Sequence, residues 1–287
     1  MKLFGKITLV VALLLAGAVG YFAWTVSVKD LPAGTYESTA TIEVLPTLFG
    51  FAVNPVADSG KPGLIFMAGA FVAADAYLPF ARSVAEAGYP VRLIGLELGN
   101  SMMPGQQPRL FGTISSFMDG NRPWAVGGHS LGSAQATIFA AAHPDEIAGL
   151  FITGSGYAYN DVSMLTVPVT LMRATNDNVA NKNDDRDRAG NMPANAVITT
   201  IEGGNHAQFG FYGPQIMDGT ATISRADQQA QMTAAALALL QRASGGAALA
   251  DRAPFNDFRV IPAQYATLNS VTVSGGHLVL EAMRQES

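Results

Sequence analysis

From Gly63 to Arg242 short apolar runs alternate with longer segments whose apolar residues recur at helical spacing, and no other feature restricts the fold as much. Gly63–Ala68, Pro90–Leu96, Trp124–Gly127, Ile147–Ile152, Val167–Arg173 and Val197–Ile201 read as strands. Between them Ala73–Gly88, Leu110–Met118 and Ser130–Ala142 read as helices, and Arg225–Arg242 follows as a long helix rich in Ala, Leu and Gln. Parallel neighbours need crossover connections, which helices supply, so the pattern predicts an α/β fold with a mostly parallel sheet flanked by helices. Reactive groups in such folds collect at the carboxyl ends of the strands. Upstream, Thr39–Val53 is β-branched and aromatic but interrupted by Pro46 and Gly50, which predicts one or two edge strands.

The 287 residues are 49% apolar and 14% charged, which argues against disorder. With 17 Lys and Arg against 22 Asp and Glu, the net charge is −5 and no basic surplus exists for nucleic acid. The chain has no cysteine, which excludes disulfides, thiolate metal sites and a thiol nucleophile. The organisation expected is a leader over 1–30, an α/β domain over 39–243 and an extension over 244–287, whose Val271–Val273 and Leu278–Leu280 flank Ser274, Gly275 and Gly276 as a β-hairpin.

Lys2 and Lys6 precede Ile7–Trp24, an apolar run of 18 residues broken only by Thr8. That length reaches the lower end of a transmembrane helix, and the positive flank orients the remainder to the far side of the membrane. The expectation is a transmembrane signal anchor. The alternatives are a cleaved signal peptide, with Ala16, Gly17 and Ala18 as the small-residue site and the mature protein secreted, and a buried helix of the globular domain.

Gly128, His129, Ser130, Leu131 and Gly132 form a G-x-S-x-G pentapeptide between a strand and a helix, the context in which a sharp turn projects a serine hydroxyl above a sheet. A Ser capping that helix would account for Ser130 but not for the paired glycines. A serine needs a base and an acid that orients the base, following in that fold in the order Ser, acid, His. Of four histidines, His129 lies inside the turn and is expected to point away, His143 precedes any later acid, and His277 is in the tail. His206, after the last core strand in Gly203, Gly204, Asn205, His206, is the expected base. Asp177, four residues beyond the strand ending at Arg173, is the expected acid; an Asx turn is its plain alternative, and Asp184, Asp185 and Asp187 lie deeper in a mixed charge cluster. Backbone N–H groups of Leu131 and of Ala70, or else Phe71, are placed to hold an oxyanion. Phe71, Met102, Met103, Tyr157, Phe209 and Phe211 are candidate walls for the substrate.

Together the Gly69–Ala70 turn, Gly128–Gly132, Thr175–Val179 and Gly203–Gly210 resemble the α/β-hydrolase superfamily, and within it a small membrane-anchored bacterial branch related to dienelactone-hydrolase-like proteins, over about Thr39–Ala243. The resemblance implies a Ser130, Asp177, His206 triad, hydrolysis without metal or other cofactor, and a small-molecule ester as substrate. The same machinery serves amidases, thioesterases and cofactor-free haloperoxidases, and a non-catalytic binding relative is the alternative from another class. The chain departs from the resemblance in its C-terminal extension and in Ala70, where relatives often carry a second glycine.

Overall fold

Strands buried on both faces must send alternate side chains into two separate cores, and the computed structural model of the chain shows this division. It describes residues 2–96, 107–118, 120, 122–180, 190–245, 268–274 and 277–282. The eight strands of the main sheet are β1 (Ile42–Thr47), β2 (Gly50–Pro55), β3 (Gly63–Met67), β4 (Val91–Ile94), β5 (Trp124–His129), β6 (Gly149–Thr153), β7 (Val169–Ala174) and β8 (Val197–Ile201). Their spatial order is β1-β2-β4-β3-β5-β6-β7-β8. β1 pairs with β2, and β2 with β4, antiparallel. Every pairing from β4 to β8 is parallel.

On one face Leu64, Phe66, Ala125, Phe151 and Met172 join a core with α2 (Leu78–Glu86) and α5 (Arg225–Ser244). On the other, Ile65, Met67, Val126, Ile152 and Leu171 meet α3 (Gln107–Phe117) and α4 (Leu131–Ala142). The helices begin where the sequence supplies a reason. Pro79 occupies the first turn of α2, where its missing N–H costs nothing, and Ser224 caps α5 by accepting the Asp227 N–H at 3.1 Å. β6 reaches the parallel β7 through residues 154–168, which contain no helix.

The apolar N-terminal run folds as α1 (Lys2–Val26). Its membrane-spanning role is not supported: among the described residues no helix is long and apolar enough to cross a membrane, and the side chains of residues 1–7, 9 and 10 lie outside those described. The end of α1 meets the α/β unit. Phe22 packs edge-on to Phe71 with ring centroids 5.2 Å apart, Val28 bridges to Tyr212, and the Lys29 N–H donates to Phe211 O at 2.8 Å. Lys29 Nζ donates to Trp24 O and Gly213 O and sits over the Trp24 ring.

The chain divides into two compact units, Met1–Ala250 and Asp251–Ser287. In the second, β9 (Leu268–Ser274) and β10 (His277–Ala282) pair antiparallel as the expected hairpin, with Gly275 and Gly276 outside the described residues.

Phe151 is fully buried between Phe66 and Phe80 on the sheet face covered by α2 and α5. Phe151→Ala is expected to cost about 3–5 kcal/mol of stability, measured as a shift of the urea unfolding midpoint.

Candidate active site

The turn between β5 and α4 requires glycine on both sides of Ser130. A Cβ at Gly128 would lie 2.3 Å from the Gly132 carbonyl carbon, and one at Gly132 would lie 2.2 Å from Met67 O and 2.5 Å from Ala68 O. The start of α4 therefore rests on the end of β3, which brings the residues after β3 beside Leu131. Ser130 itself has φ 54° and ψ −115°, a backbone region that costs an L residue about 1–3 kcal/mol. The surrounding hydrogen bonds hold it there. The Ser130 N–H donates to Thr153 O at 2.9 Å. Ser133 Oγ accepts the Thr153 N–H and lies 2.5 Å from Gly128 O and 2.8 Å from Thr153 O. Thr153 Oγ1 donates to Gly128 O at 2.9 Å. The end of β6 and the first turn of α4 thus lock the turn from both sides.

Asp177 and His206 meet from loops after β7 and β8. Asp177 Oδ2 lies 2.8 Å from His206 Nδ1, both side chains are almost wholly buried, and Asp177 Oδ1 accepts the N–H groups of Val179 and Ala180. With one oxygen on two backbone donors, the carboxylate is fixed and its other oxygen can only face the imidazole. The two loops are tied together: Gly203 N–H donates to Thr175 Oγ1, and Asn176 N–H donates to Gly204 O. Among the described residues the buried His206 Nε2 has no hydrogen-bond partner. His206 lines a cavity of about 300 Å³ together with Ser130, Leu131, Gly154, Tyr157 and Ala180.

Among the described candidate walls only Tyr157 lines this cavity. Phe71 has φ 61° and is 41% exposed, against Phe22. Phe209 corrects the expectation: it is fully buried, 5.5 Å from the His129 ring, because the short helical turn Ala207–Phe209 points it inward. Phe211 lies instead in a groove between α2 and α5. Met102 and Met103 fall outside the described residues, as do Asp184, Asp185 and Asp187. Ala70 is half-buried at the turn after β3 and Leu131 opens α4. Among the described residues no three His, Asp or Glu side chains converge as a metal site requires.

A model of the alpha/beta hydrolase family matches residues 63–230, more than half of the chain. The chain belongs to the alpha/beta hydrolase family. The hydrolase is similar in structure to Est1E from Butyrivibrio proteoclasticus, at 11% identity and a TM-score of 0.50, over 70% of this chain and 100% of that one. It is likewise similar to a predicted CIB-like hydrolase from Thermoplasma acidophilum, at 13% identity and a TM-score of 0.50, over 67% of this chain and 97% of that one. At these identities the likeness is one of fold. No curated protein sequence matches the chain.

Sequence reasoning missed two of the hydrolase's polar groups at this site. His129, expected to point away, is buried with its ring centroid 4.4 Å from that of His206. Asp218 lies in the irregular stretch before α5 and accepts the N–H groups of His206 at 3.1 Å, Ala207 at 2.8 Å and Gly219 at 2.8 Å. It holds the loop that carries the imidazole. No motif marks Asp218; its only signal was an acid close behind the histidine.

Burial raises the Asp218 carboxyl above the usual carboxylate range, against the pull of the Ala207 and His206 N–H groups. Between the unfolded value near 3.9 and the raised one, the native state binds more protons than the unfolded chain. The group therefore makes stability fall as pH rises through that window. Asp218→Asn is expected to remove this component, so that the Tm difference between wild type and variant changes with pH from 4 upward and levels off above the raised value. The amide also turns an NH₂ toward a backbone N–H and should lower Tm at neutral pH.

Proposed function

We propose that the protein is a serine hydrolase that cleaves a small carboxylic ester through an acyl-enzyme. The observation that carries the reading is the buried Asp177–His206 pair at 2.8 Å, whose histidine lines the same cavity as a serine held at positive φ. Ser130 Oγ attacks the carbonyl carbon as His206 Nε2 takes its proton. The tetrahedral oxyanion is held by the N–H of Leu131 and that of Ala70. Collapse expels the alcohol, protonated by His206. Water then attacks the acyl group by the same route, with Asp177 keeping the imidazole in the tautomer that presents a bare Nε2. That Nε2 makes no hydrogen bond to the serine here does not weigh against this, since such contacts tighten when substrate binds.

The cavity of about 300 Å³ and the helix-free connection 154–168, which supplies no capping domain, support a short acyl group. Each CH₂ that finds a wall gains about 0.8 kcal/mol, and those left in water gain nothing. The chain's location follows from sequence alone: Lys2, Lys6 and the apolar run Ile7–Trp24 support delivery across a membrane. A mature N-terminus at Val19, found by mass spectrometry, would identify that run as a cleaved signal.

Ser130→Ala is expected to abolish fluorophosphonate labelling and esterase activity while leaving Tm nearly unchanged, because no cavity forms. Asp177→Asn should lower kcat by about 10⁴, the loss known when the triad acid of a serine protease becomes an amide; near-normal turnover in that variant would displace the acid assignment. With p-nitrophenyl esters, kcat/KM should peak from acetyl to butyryl and decline beyond. A steady rise through octanoyl and decanoyl would overturn the short-acyl assignment.

A further inference from the structure

The catalytic histidine rests on a second imidazole that the mechanism above does not use. His129, fully buried, lies against the His206 ring at 4.4 Å between centroids, inclined by 48°. Gly154, which has φ 59°, passes close to both rings: a Cβ there would lie 2.5 Å from His129 Cδ2 and 3.3 Å from His206 Cε1. Only a residue without a side chain lets the β6 end pass here. On its far side His129 Nδ1 is 2.8 Å from the buried Tyr77 hydroxyl, and the same hydroxyl accepts the Gly69 N–H at 3.1 Å. Gly69 begins the turn that carries Ala70 and Phe71.

The Tyr77 hydroxyl accepts the Gly69 N–H and is within hydrogen-bond distance of His129 Nδ1. In the tautomer in which the hydroxyl donates to Nδ1, that nitrogen is bare and the neutral ring carries its proton on Nε2. Burial, with the neighbouring His206 ring adding to it, keeps the His129 imidazole well below the ordinary histidine range, although the His206 backbone opposes the fall. Burial also pushes the Tyr77 phenol up. Neither group changes charge near neutral pH.

We propose that Tyr77 and His129 are positioning residues, a single hydrogen-bonded unit that couples the oxyanion turn at Gly69 to the ring of His206. The unit sets two distances at once: that of the imidazole from Ser130, and that of the Ala70 N–H from the developing oxyanion. A charged ring in the same place would resist the imidazolium that forms on His206 in the transition state, and a neutral one does not.

The inference rests on the serine-hydrolase reading, and the test separates the two. The full-length wild type, Tyr77→Phe, His129→Asn and His129→Leu are compared by the rate of fluorophosphonate labelling of Ser130, by kcat and KM on p-nitrophenyl acetate per folded protein, and by Tm. Tyr77→Phe should slow labelling and kcat at least tenfold with KM within twofold. His129→Asn keeps an oxygen that accepts from Tyr77 and should retain more of the labelling rate than His129→Leu. A role in packing alone predicts the reverse order, since leucine suits an apolar site better than asparagine. Labelling of Tyr77→Phe within twofold of wild type, or of His129→Leu as fast as His129→Asn, overturns the proposal. If Tyr77→Phe does not fold, the order of the two His129 variants decides. A wild type that is not labelled at all overturns the serine-hydrolase reading itself.

Discussion

Ser130 occupies a backbone conformation that it would leave if it could. Everything that makes the site usable depends on preventing that relaxation. The constraint is distributed over three strands: β5 delivers the serine, the end of β6 accepts its N–H and clamps it through Thr153 and Ser133, and the end of β3 receives Gly132 so closely that no side chain fits. These strands are central and their side chains are buried on both faces. The strain at one residue is thus held by the most cooperative part of the molecule, while the groups that must meet substrate arrive on loops.

Those loops solve a different problem. Asp177 follows the buried β7, but His206 comes from the end of β8 at the sheet edge, where the strand itself gives little rigidity: β8 has only Ile201 fully buried. Backbone hydrogen bonds take its place. Asp218 collects three N–H groups around the histidine, Asp177 collects two, and Gln228 on α5 binds both the N–H and the carbonyl of Asn205. Carboxylates at short helical turns are well suited to this, because each oxygen accepts more than one bond and meets the positive end of the turn.

The strand and helix pattern was legible because a parallel sheet with two covers leaves so few ways to order apolar residues. The paired glycines around Ser130 and the meeting of Asp177 with His206 were legible because their positions after consecutive strands follow from the chain's direction. What escaped was whatever depended on the third dimension alone. Ser133 reads as an ordinary helix residue, and only contact with β6 makes it a clamp. His129 was set aside because alternation sends it away from the serine, yet the last strand end folds His206 back over it. Phe209 reads as a wall because it is aromatic and follows the base, whereas the turn Ala207–Phe209 directs it into the core.

The attachment of the N-terminal segment has a mechanical consequence. Val28 and Lys29 pair with Tyr212 and Phe211, just beyond the His206 loop, and Phe22 rests on Phe71, in the turn after β3. Tension applied to α1 would be carried first by these two loops and only afterwards by the sheet. A pull on α1 would therefore act directly on the loops that carry His206 and Ala70, and a slack segment and a taut one are mechanically different states of the site.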